Sequence, residues 1–195
     1  MSREISLTTP IDLNNTETLT QLRYGDRVLI TGVIYTARDA AHKKMIETLE
    51  KGEQLPFDSK GSVIYYVGPT PPPPGMVSGS AGPTTSSRMD AYTPQLLDLG
   101  VKGVIGKGYR SEAVRQSLIA NQAVYFAATG GAGVLLSKRI KESKVVAWPE
   151  LGAEAVRRMV VENFPVTVAI DTNGDDIYIK GPEAWKMAMA EKGNG

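Results

Sequence analysis

Residues 103–127 read GVIGKGYRSEAVRQSLIANQAVYFA, and this stretch carries the signals of two strands and one helix. Its ends, 103–105 and 123–127, are short apolar runs, which predict strands. Between them, 111–120 opens on Ser111, a residue favoured at helix N-caps, and contains neither Gly nor Pro, so it predicts a helix. A strand, a helix and a strand in this order are typical of a parallel sheet with crossover helices, the α/β class.

The same alternation extends to both sides of this stretch. Residues 26–35 (DRVLITGVIY) predict a well-buried strand, and 63–67 (VIYYV) predict a second, shorter one. From Ala37 to Leu49, apolar residues recur at four-residue spacing before Gly52, which predicts a helix. The other predicted elements are a β-rich opening at 5–9, helices at 89–99, 131–140 and 182–192, strands at 145–148, 166–171 and 177–179, and a hairpin turn at 173–174.

Residues 68–88 have neither helical nor strand periodicity and predict a loop of about twenty residues. A loop of this length is usually either disordered or functional. Its first half contains the proline run Pro71–Pro74, and its second half, SAGPTTSSR at 80–88, is dense in hydroxyls and small residues. Exposed amides followed by an arginine suit the binding of an anion. A flexible Gly/Ser loop is the alternative, and we expect Pro71 to Ser87 to be mobile when the chain is alone.

The size and charge of the chain limit what it can be. With 195 residues it is long enough for one substantial core and short for two, so we predict a single domain over 1–195. Its 22 basic and 21 acidic residues give a net charge of +1, which offers no electrostatic footprint for nucleic acid. No segment approaches the roughly 20 apolar residues that cross a bilayer, and the N-terminus lacks a signal-peptide core. We therefore expect no membrane contact and a cytoplasmic location.

The chain contains no cysteine and a single histidine, His42. The absence of cysteine excludes disulfides, thiolate nucleophiles and an iron–sulfur cluster held by the chain's own thiolates. A single histidine excludes a zinc site with several imidazole ligands. We therefore predict no metal-binding residues in this chain.

Two cationic residues follow predicted strands, where ligands bind in open α/β sheets. Arg38 lies in the first turn of the helix after strand 26–35, with His42 one turn further on the same side. Lys107 follows another predicted strand, between two glycines that would let a substrate approach the backbone. Each of these three residues also has an ordinary interpretation. Arg38 could be an exposed helix arginine, His42 a half-buried side chain and Lys107 a turn lysine. The turn ATGGAG at 128–133 could cradle an anion or simply connect a strand to a helix.

Four short motifs occur in order along the chain: TARDAAH at 36–42, GPT at 68–70, SAGPTTSSRMD at 80–90 and GKG at 106–108. Together they resemble the smaller subunit of the iron–sulfur hydro-lyases of the class I fumarate hydratase and L(+)-tartrate dehydratase type. The likeness extends from about Gly25 to Trp185, and the GPTT…RMD block is its specific part. The chain is thus similar to the β-subunit, or C-terminal domain, of that family.

The resemblance implies that two protein parts share one active site. In this family the smaller part is a swivelling β/β/α domain, which closes against an α-subunit or, in one-chain relatives, against an N-terminal domain. That partner holds a [4Fe–4S] cluster through three cysteines and leaves one iron open to substrate as a Lewis acid. The missing cysteines of this chain are then expected. The resemblance also implies a homodimer or a dimer of heterodimers.

By the same resemblance, the motifs assign roles to four residues. Arg38, Arg88 and Lys107 are implied to hold the carboxylates of a small dicarboxylate substrate, and Thr84 to move the proton. The implied reaction is the reversible hydration of fumarate to L-malate, with tartrate dehydration as the alternative because the motifs hold either diacid. A hydroxyl is a poor base at neutral pH, so Thr84 requires an activating neighbour.

Two other function classes stay open at the level of the sequence. The loop at 82–88 could bind an anion without catalysis, in a binding or regulatory domain. A nucleotide-using enzyme could be built on the turn at 129–133, although that turn has neither the Walker spacing nor the G-x-G-x-x-G spacing. Activity after mixing with a cluster-bearing chain favours the hydro-lyase, whereas binding of ATP or NAD favours the nucleotide enzyme.

Overall fold

The parallel strands predicted from the sequence are present in the computed structural model, which describes residues 3–182. In chain order they are β1 (Glu4–Thr9), β2 (Arg27–Thr36), β3 (Val63–Tyr65), β4 (Gly103–Gly106) and β5 (Val124–Ala127). Each pairs in parallel with the next, and β2 pairs with β1 through its residues 27–32 and with β3 through its residues 35–36. The predicted α/β class is therefore confirmed, with a parallel sheet over these strands.

Helices connect these strands, as the crossover prediction requires. They are α1 (Glu17–Thr20), α2 (Asp39–Glu50), α3 (Thr93–Asp98), α4 (Glu112–Ala120) and α5 (Gly133–Ser137), with 3₁₀ segments at Ser86–Met89, Gly130–Ala132 and Pro149–Glu154. Ser111 caps α4, since its hydroxyl accepts a hydrogen bond from the Val114 amide at 3.3 Å. The predicted helices at 37–49 and 111–120 agree with α2 and α4 within two residues at each end, whereas in 89–99 only residues 93–98 form an α-helix, α3.

Two antiparallel strands complete the sheet, namely β6 (Ile140–Ala147) and β7 (Val156–Ile170). β7 has 15 residues and pairs with β2 along one edge, while its other edge pairs first with β6 and then with β5. Because β5 and β2 are also joined through β4 and β3, the strands β2, β3, β4, β5 and β7 close into a ring. The sheet is therefore mixed, and the sequence predicted only its parallel part.

The strands of this ring separate two hydrophobic cores. Residues of β3 and β5 alternate between the cores: Tyr65 and Phe126 join Phe164 of β7 on one side, whereas Ile64 and Tyr125 pack with the helices on the other. Full burial of each such side chain stabilises the fold by roughly 1.5–3 kcal/mol. Because both faces of these short strands are buried, the strands are apolar throughout. Since both faces of these strands are covered, their ends and the loops there are left for ligands.

The predicted strand at 177–179 is wrong, because these residues begin a helix. Asp176 fixes the start of that helix, since its carboxylate accepts a hydrogen bond from the Tyr178 amide at 2.8 Å. The predicted hairpin at 173–174 is reduced to a single antiparallel bridge between Ile170 and Asp176. A capping carboxylate here outweighs the β-propensity of the isoleucines around it.

Other boundaries in this part of the chain also differ from the predictions. The predicted helix at 131–140 ends in α5 at Ser137, because Ile140 starts β6. The predicted strands at 145–148 and 166–171 are the last parts of β6 and β7. The predicted helix at 182–192 lies outside the described residues except for its first position, which is helical. Within residues 3–182, no helix combines the length and apolar character that crossing a bilayer requires.

Candidate functional site

Three parallel strands bring the predicted site residues to one edge of the sheet. Arg38 follows β2 as the N-cap residue of α2, and Lys107 directly follows β4. Thr84 and Arg88 lie in the segment that follows β3. Because β2, β3 and β4 are parallel neighbours, their carboxyl ends share one edge. The four residues implied by the motifs therefore converge on this edge, which we call the carboxyl edge.

The loop after β3 returns to the sheet and runs alongside the end of β4. The Thr84 amide donates a hydrogen bond to the Tyr66 carbonyl at 2.7 Å. Next along the chain, Thr85 forms a parallel bridge with Lys107, and the Ser86 amide donates to the Lys107 carbonyl at 2.9 Å. Thr84 and Lys107 therefore lie on adjacent backbones.

Gly106, the first residue of the GKG motif, permits this close approach. A Cβ atom at this position would lie 1.9 Å from Oγ of Ser86 and 2.9 Å from Cδ2 of Tyr66. Ser86 is buried and shares a hydrogen bond of 2.9 Å with the Tyr125 hydroxyl, so it has no free space into which it could turn. The glycine before Lys107 is thus needed to seat the loop on β4.

Arg88 is joined to the start of α2 by a two-pronged ion pair. Its Nε donates to Oδ1 of Asp39 at 2.9 Å, and its Nη2 lies 2.8 Å from Oδ2. Asp39 directly follows Arg38, so Arg88 binds the residue next to Arg38 in the first turn of α2. The Arg88 side chain is 50% exposed, which leaves much of the guanidinium open to a ligand. The Asp39 carboxylate thus shows where a carboxylate approaches this guanidinium, through one hydrogen bond to Nε and one close charge contact to Nη2.

Arg38 lies across the backbone of the GPT motif. A Cβ atom on Gly68 would lie 2.9 Å from Nη1 and 3.0 Å from Cδ of Arg38, so the glycine makes room for this side chain. On another side, Nη2 of Arg38 lies 3.6 Å from Oε1 of Glu154. Among the described residues, none provides a hydrogen-bond acceptor for Nε of Arg38. Arg38 is thus held by packing and by a long ion pair, with at least one donor unused.

His42 is fully buried beside the backbone of Arg38. Its amide and its ring Nδ1 both lie within hydrogen-bond distance of the Arg38 carbonyl, at 2.8 and 2.9 Å, so Nδ1 carries the proton. The ring packs edge-on against Tyr66, with centroids 5.3 Å apart. Burial, together with the Arg110 cation, lowers the pKa of His42 to about 4. A neutral His42 therefore holds the backbone of Arg38, a role that the sequence had left open.

One buried residue near the carboxyl edge, Arg110, is missing from the sequence prediction. Its side chain is 0% exposed, its Nε donates to Oδ1 of Asp90 at 2.7 Å, and its Nη2 donates to the Thr93 hydroxyl at 2.7 Å. Burial lowers the pKa of Arg110, but the nearby Tyr66 and Asp90 outweigh that effect and raise it above its ordinary value. It lies three residues after Lys107, and nothing in the sequence around it marks it as buried.

The glycine turn after β5 packs against the loop that carries Thr84. The Ala81 amide donates to the Gly133 carbonyl at 3.1 Å, and a Cβ atom on Gly133 would lie 2.5 Å from Oγ of Ser80. In both contacts the glycine turn supports the loop that carries Thr84. They favour the interpretation of this turn as a tight strand-to-helix connection over that of a nucleotide cradle.

The part of the chain that the structure describes brings together no side chains suited to a metal ion. No group of three His, Cys, Asp or Glu side chains assembles within residues 3–182, and the whole chain has no cysteine. The carboxyl edge instead carries cations, which repel a metal ion, and hydroxyls, which are poor iron ligands. These residues do not fit an iron–sulfur cluster held by this chain alone.

The carboxyl edge suits a small anion with more than one acidic group. Arg38 is the N-cap residue of α2, Arg88 binds the next residue, Asp39, and Lys107 adds a third cation after β4. Guanidinium groups bind carboxylates through paired, planar hydrogen bonds that fix orientation, while an ammonium acts as a compact charge. With Thr84 on the backbone adjacent to Lys107, the edge offers three cations and one hydroxyl to such a ligand.

Comparison with known proteins gives this geometry a family context. The family model described as Fumarase C-terminus matches residues 2–181. The match includes β1, which precedes the first of the four motifs, so the likeness begins earlier than the motifs alone indicated.

Individual relatives carry two kinds of name. Fumarate hydratase 2 of Leishmania major is 40% identical over 181 residues, which are 92% of this chain and 32% of that protein. The L(+)-tartrate dehydratase subunit beta of Escherichia coli is 34% identical over 193 residues, 95% of this chain and 90% of that protein. The putative L(+)-tartrate dehydratase subunit beta of Methanocaldococcus jannaschii is 40% identical over 164 residues, 81% and 84% of the two chains. The chain thus spans about a third of the fumarate hydratase and most of each tartrate dehydratase β-subunit.

Proposed function

The chain belongs to the Fumarase C-terminus family, and we propose that it is the β-subunit of a [4Fe–4S]-dependent hydro-lyase that hydrates fumarate reversibly to L-malate. The relatives named above are hydro-lyases of the fumarate hydratase and tartrate dehydratase kinds. One observation carries the proposal: Arg38, Thr84, Arg88 and Lys107 come from three separate chain segments and converge on the carboxyl edge.

The three cations would bind and orient the two carboxylates of the substrate. A C4 dicarboxylate carries two negative charges, so it needs at least two positive partners in a site that excludes water. Arg88 already binds the Asp39 carboxylate, and its half-exposed guanidinium can donate hydrogen bonds to a second carboxylate. Orientation of this kind can remove several kcal/mol from a reaction barrier.

Thr84 would move the proton at the carbon next to the hydroxyl-bearing carbon. Its backbone is fixed by the 2.7 Å hydrogen bond to Tyr66, and it lies on the backbone adjacent to Lys107. Because a threonine hydroxyl is a poor base at neutral pH, a group on the partner chain would have to activate it. Thr84 thus contributes the position from which the proton is exchanged.

The iron–sulfur cluster would be held by an α-subunit and not by this chain, which has no cysteine. When bound there, a [4Fe–4S] cluster with an open iron supplies a Lewis acid for the departing hydroxyl. The names of two relatives as subunit beta support the existence of a second subunit. The residues of the present chain bind the diacid, orient it and exchange its proton.

We further propose that 1–195 forms a single swivelling β/β/α domain that closes against the α-subunit. Two hydrophobic cores on opposite sides of the ring strands support such a layered arrangement. The complete assembly would be a homodimer or a dimer of heterodimers in the cytoplasm, with neither nucleic acid nor membrane among its partners.

The proposal is tested by expressing the full chain anaerobically with a cluster-bearing α-subunit and assaying fumarate hydration and tartrate dehydration. We expect hydration of fumarate by the complex and by neither chain alone. Arg88→Ala and Thr84→Ala should each lower kcat/KM by about 100-fold, because each removes a group used in the transition state.

The matched control is Arg115→Ala, which removes a bidentate pair with Glu112 on α4 and a 3.3 Å hydrogen bond to the Gly174 carbonyl, none of which involves a residue of the site. It should leave the rate within a factor of about two. Wild-type rates in both the Arg88 and Thr84 variants would reject the site assignment. Turnover of malate by the purified chain without iron or partner would reject the shared active site.

Tartrate dehydration is the second candidate reaction, because two of the relatives carry its name. A complex that dehydrates tartrate and leaves fumarate unchanged would assign the chain to this reaction. Anion binding without either activity would instead indicate a non-catalytic domain.

A further inference from the structure

Arg110 is a fully buried cation that contacts several loops of the carboxyl edge. It lies in the connection between β4 and α4, three residues after Lys107, with a side-chain exposure of 0%. Its Nε donates to Oδ1 of Asp90 at 2.7 Å, and Oδ2 of the same carboxylate accepts the Ser111 amide at 2.6 Å. Asp90 follows Arg88 by two residues. One carboxylate therefore ties the segment that carries Arg88 to the segment that carries Lys107.

Two tyrosine rings flank the guanidinium of Arg110. Its central carbon lies 5.4 Å from the ring centroid of Tyr66 and 5.0 Å from that of Tyr125. Such a cation held against aromatic faces is stabilised by their quadrupoles, most strongly where water is excluded. The position of Arg110 and the positions of both rings are therefore coupled.

The same two tyrosines hold the residues that would meet the substrate. The Tyr66 carbonyl accepts the Thr84 amide at 2.7 Å. The Tyr125 hydroxyl donates to the Gly108 carbonyl at 2.8 Å, next to Lys107, and shares a 2.9 Å hydrogen bond with the Ser86 hydroxyl. Through these two tyrosines, Arg110 is therefore linked both to the segment that carries Thr84 and to the segment that carries Lys107.

Stability alone does not account for a buried arginine in this place. Removing a cation from water costs several kcal/mol, and an ion pair in the interior often stabilises a fold no more than apolar residues of similar volume. Within residues 3–182, no acceptor reaches Nη1 of Arg110, so even its hydrogen bonding is incomplete. What this network provides is a fixed geometry between the segment at 84–90 and the segment at 106–111.

We propose that Arg110 is a positioning residue that, with Tyr125, fixes Thr84, Arg88 and Lys107 relative to one another. Because its guanidinium is closed off from solvent, Arg110 acts through these residues and does not touch the substrate. The proposal rests on the function proposed above, since it assigns Arg110 to the same site. Its local geometric consequence can be measured separately from that function.

The activity test uses the full chain in its complex with the α-subunit. Arg110→Lys keeps the charge and removes the planar fork, and Tyr125→Phe removes the hydroxyl between Gly108 and Ser86. With rates normalised to folded, iron-loaded complex, we expect each variant to lower kcat for fumarate by about 30-fold and to change KM by less than about threefold, since a misplacement of about 1 Å costs up to 100-fold. Arg115→Lys, which alters the surface pair with Glu112, is the matched control and should change neither constant.

The geometric test measures amide hydrogen exchange in the free chain. Arg110→Lys and Tyr125→Phe should speed exchange at 84–88 and 106–110 by about tenfold or more while β1 keeps its protection. Uniform loss of protection over the chain, or unchanged exchange in these two segments, would overturn the proposal. So would a normalised kcat within twofold of the Arg115→Lys control. A wild-type complex inactive on every dicarboxylate would defeat the proposed function, and the exchange data would still decide whether Arg110 positions these loops.

Discussion

The loop between β3 and the 3₁₀ segment at 86–89 has two halves that differ in how they meet the rest of the molecule. Residues 71–77 are exposed throughout, whereas the backbone from 78 to 86 is attached to neighbouring segments at several points. The Ala81, Thr84 and Ser86 amides all donate to carbonyls of neighbouring segments, at 2.7–3.1 Å. We call residues 71–77 the proline tip and residues 78–86 the return segment.

The difference follows from backbone chemistry. Four consecutive prolines have no N–H groups, so the proline tip has few donors with which to attach itself to the sheet. Glycine and small hydroxyl residues keep their donors and allow close approach, so the return segment can pair with β4 and the glycine turn. Composition alone suggested one loop of uniform mobility. The structure shows that the part carrying Thr84 is the anchored part.

A fall in pH should produce the largest effect on stability. It acts through His42, which packs against Tyr66, and the carbonyl of Tyr66 anchors Thr84 in the return segment. The pKa of His42 is about 4 in the folded chain because the ring is buried, whereas an exposed histidine has a pKa of about 6.5. Between these values the unfolded chain binds a proton that the folded chain does not, so stability falls as the pH falls. We expect this group to reduce the free energy of unfolding by roughly 3 kcal/mol between pH 7 and pH 4. Urea unfolding at several pH values measures it.

The control for the acid effect is His42→Gln, which removes the only histidine of the chain. Its unfolding free energy should lack the step that begins near pH 6.5. The Arg110 cation and the Tyr66 and Tyr92 rings surround His42, so both proteins keep the same neighbours. An identical pH dependence in the variant and the wild type would contradict the assignment.

A smaller effect is expected where the two halves of the loop meet. A Cβ atom on Gly79 would lie 2.2 Å from the Thr70 hydroxyl and 2.5 Å from the Pro71 carbonyl oxygen. Gly79→Ala should therefore push the return segment off its anchor and cost about 2 kcal/mol in urea unfolding. Gly131→Ala meets no atom within 4 Å and is the matched control. Equal stability of the two variants would show that this contact does not hold the loop.

The smallest effect on stability should come from the proline tip. Met76→Ser changes an exposed side chain and should alter the free energy of unfolding by less than about 0.5 kcal/mol. A protease should cut the lone chain within 71–77 before it cuts 78–86, because only the return segment is hydrogen-bonded to its surroundings. Cleavage first in the return segment would reverse the comparison. The predicted mobility of Pro71 to Ser87 as a whole stays a prediction.

Local signals sufficed for the elements whose folding is decided locally. The strand–helix–strand run at 103–127 carries its own cap, apolar runs and glycines, and it folds as predicted. The sequence does not predict most of β7. Its first ten residues mix apolar with charged side chains, such as Arg157 and Arg158, and they include Pro165, which lacks an amide donor. Its pairing with β2 is long-range, and Pro165 lies opposite Leu29 in that pairing. Only the tertiary context makes this segment a strand.

The candidate site shows the same division. The motifs place Arg38, Arg88 and Lys107 after strands, and the parallel pairing of those strands is enough to bring them to one edge. The ion pair of Arg88 with Asp39 depends on where the loop returns, which no local pattern encodes. Arg110 was missed for a related reason, because a buried arginine cannot be told from an exposed one by its sequence neighbours.

The closure of the ring by β7 dictates when the domain can become complete during synthesis. A ribosome-bound chain that ends at residue 155 contains β2 and β5, but each of these strands lacks the neighbour that β7 provides. Unpaired edges of this kind attract other chains. The nascent protein therefore depends on its residues 156–170 for protection against aggregation. A chain released before these residues are synthesised would expose the unpaired edges of β2 and β5.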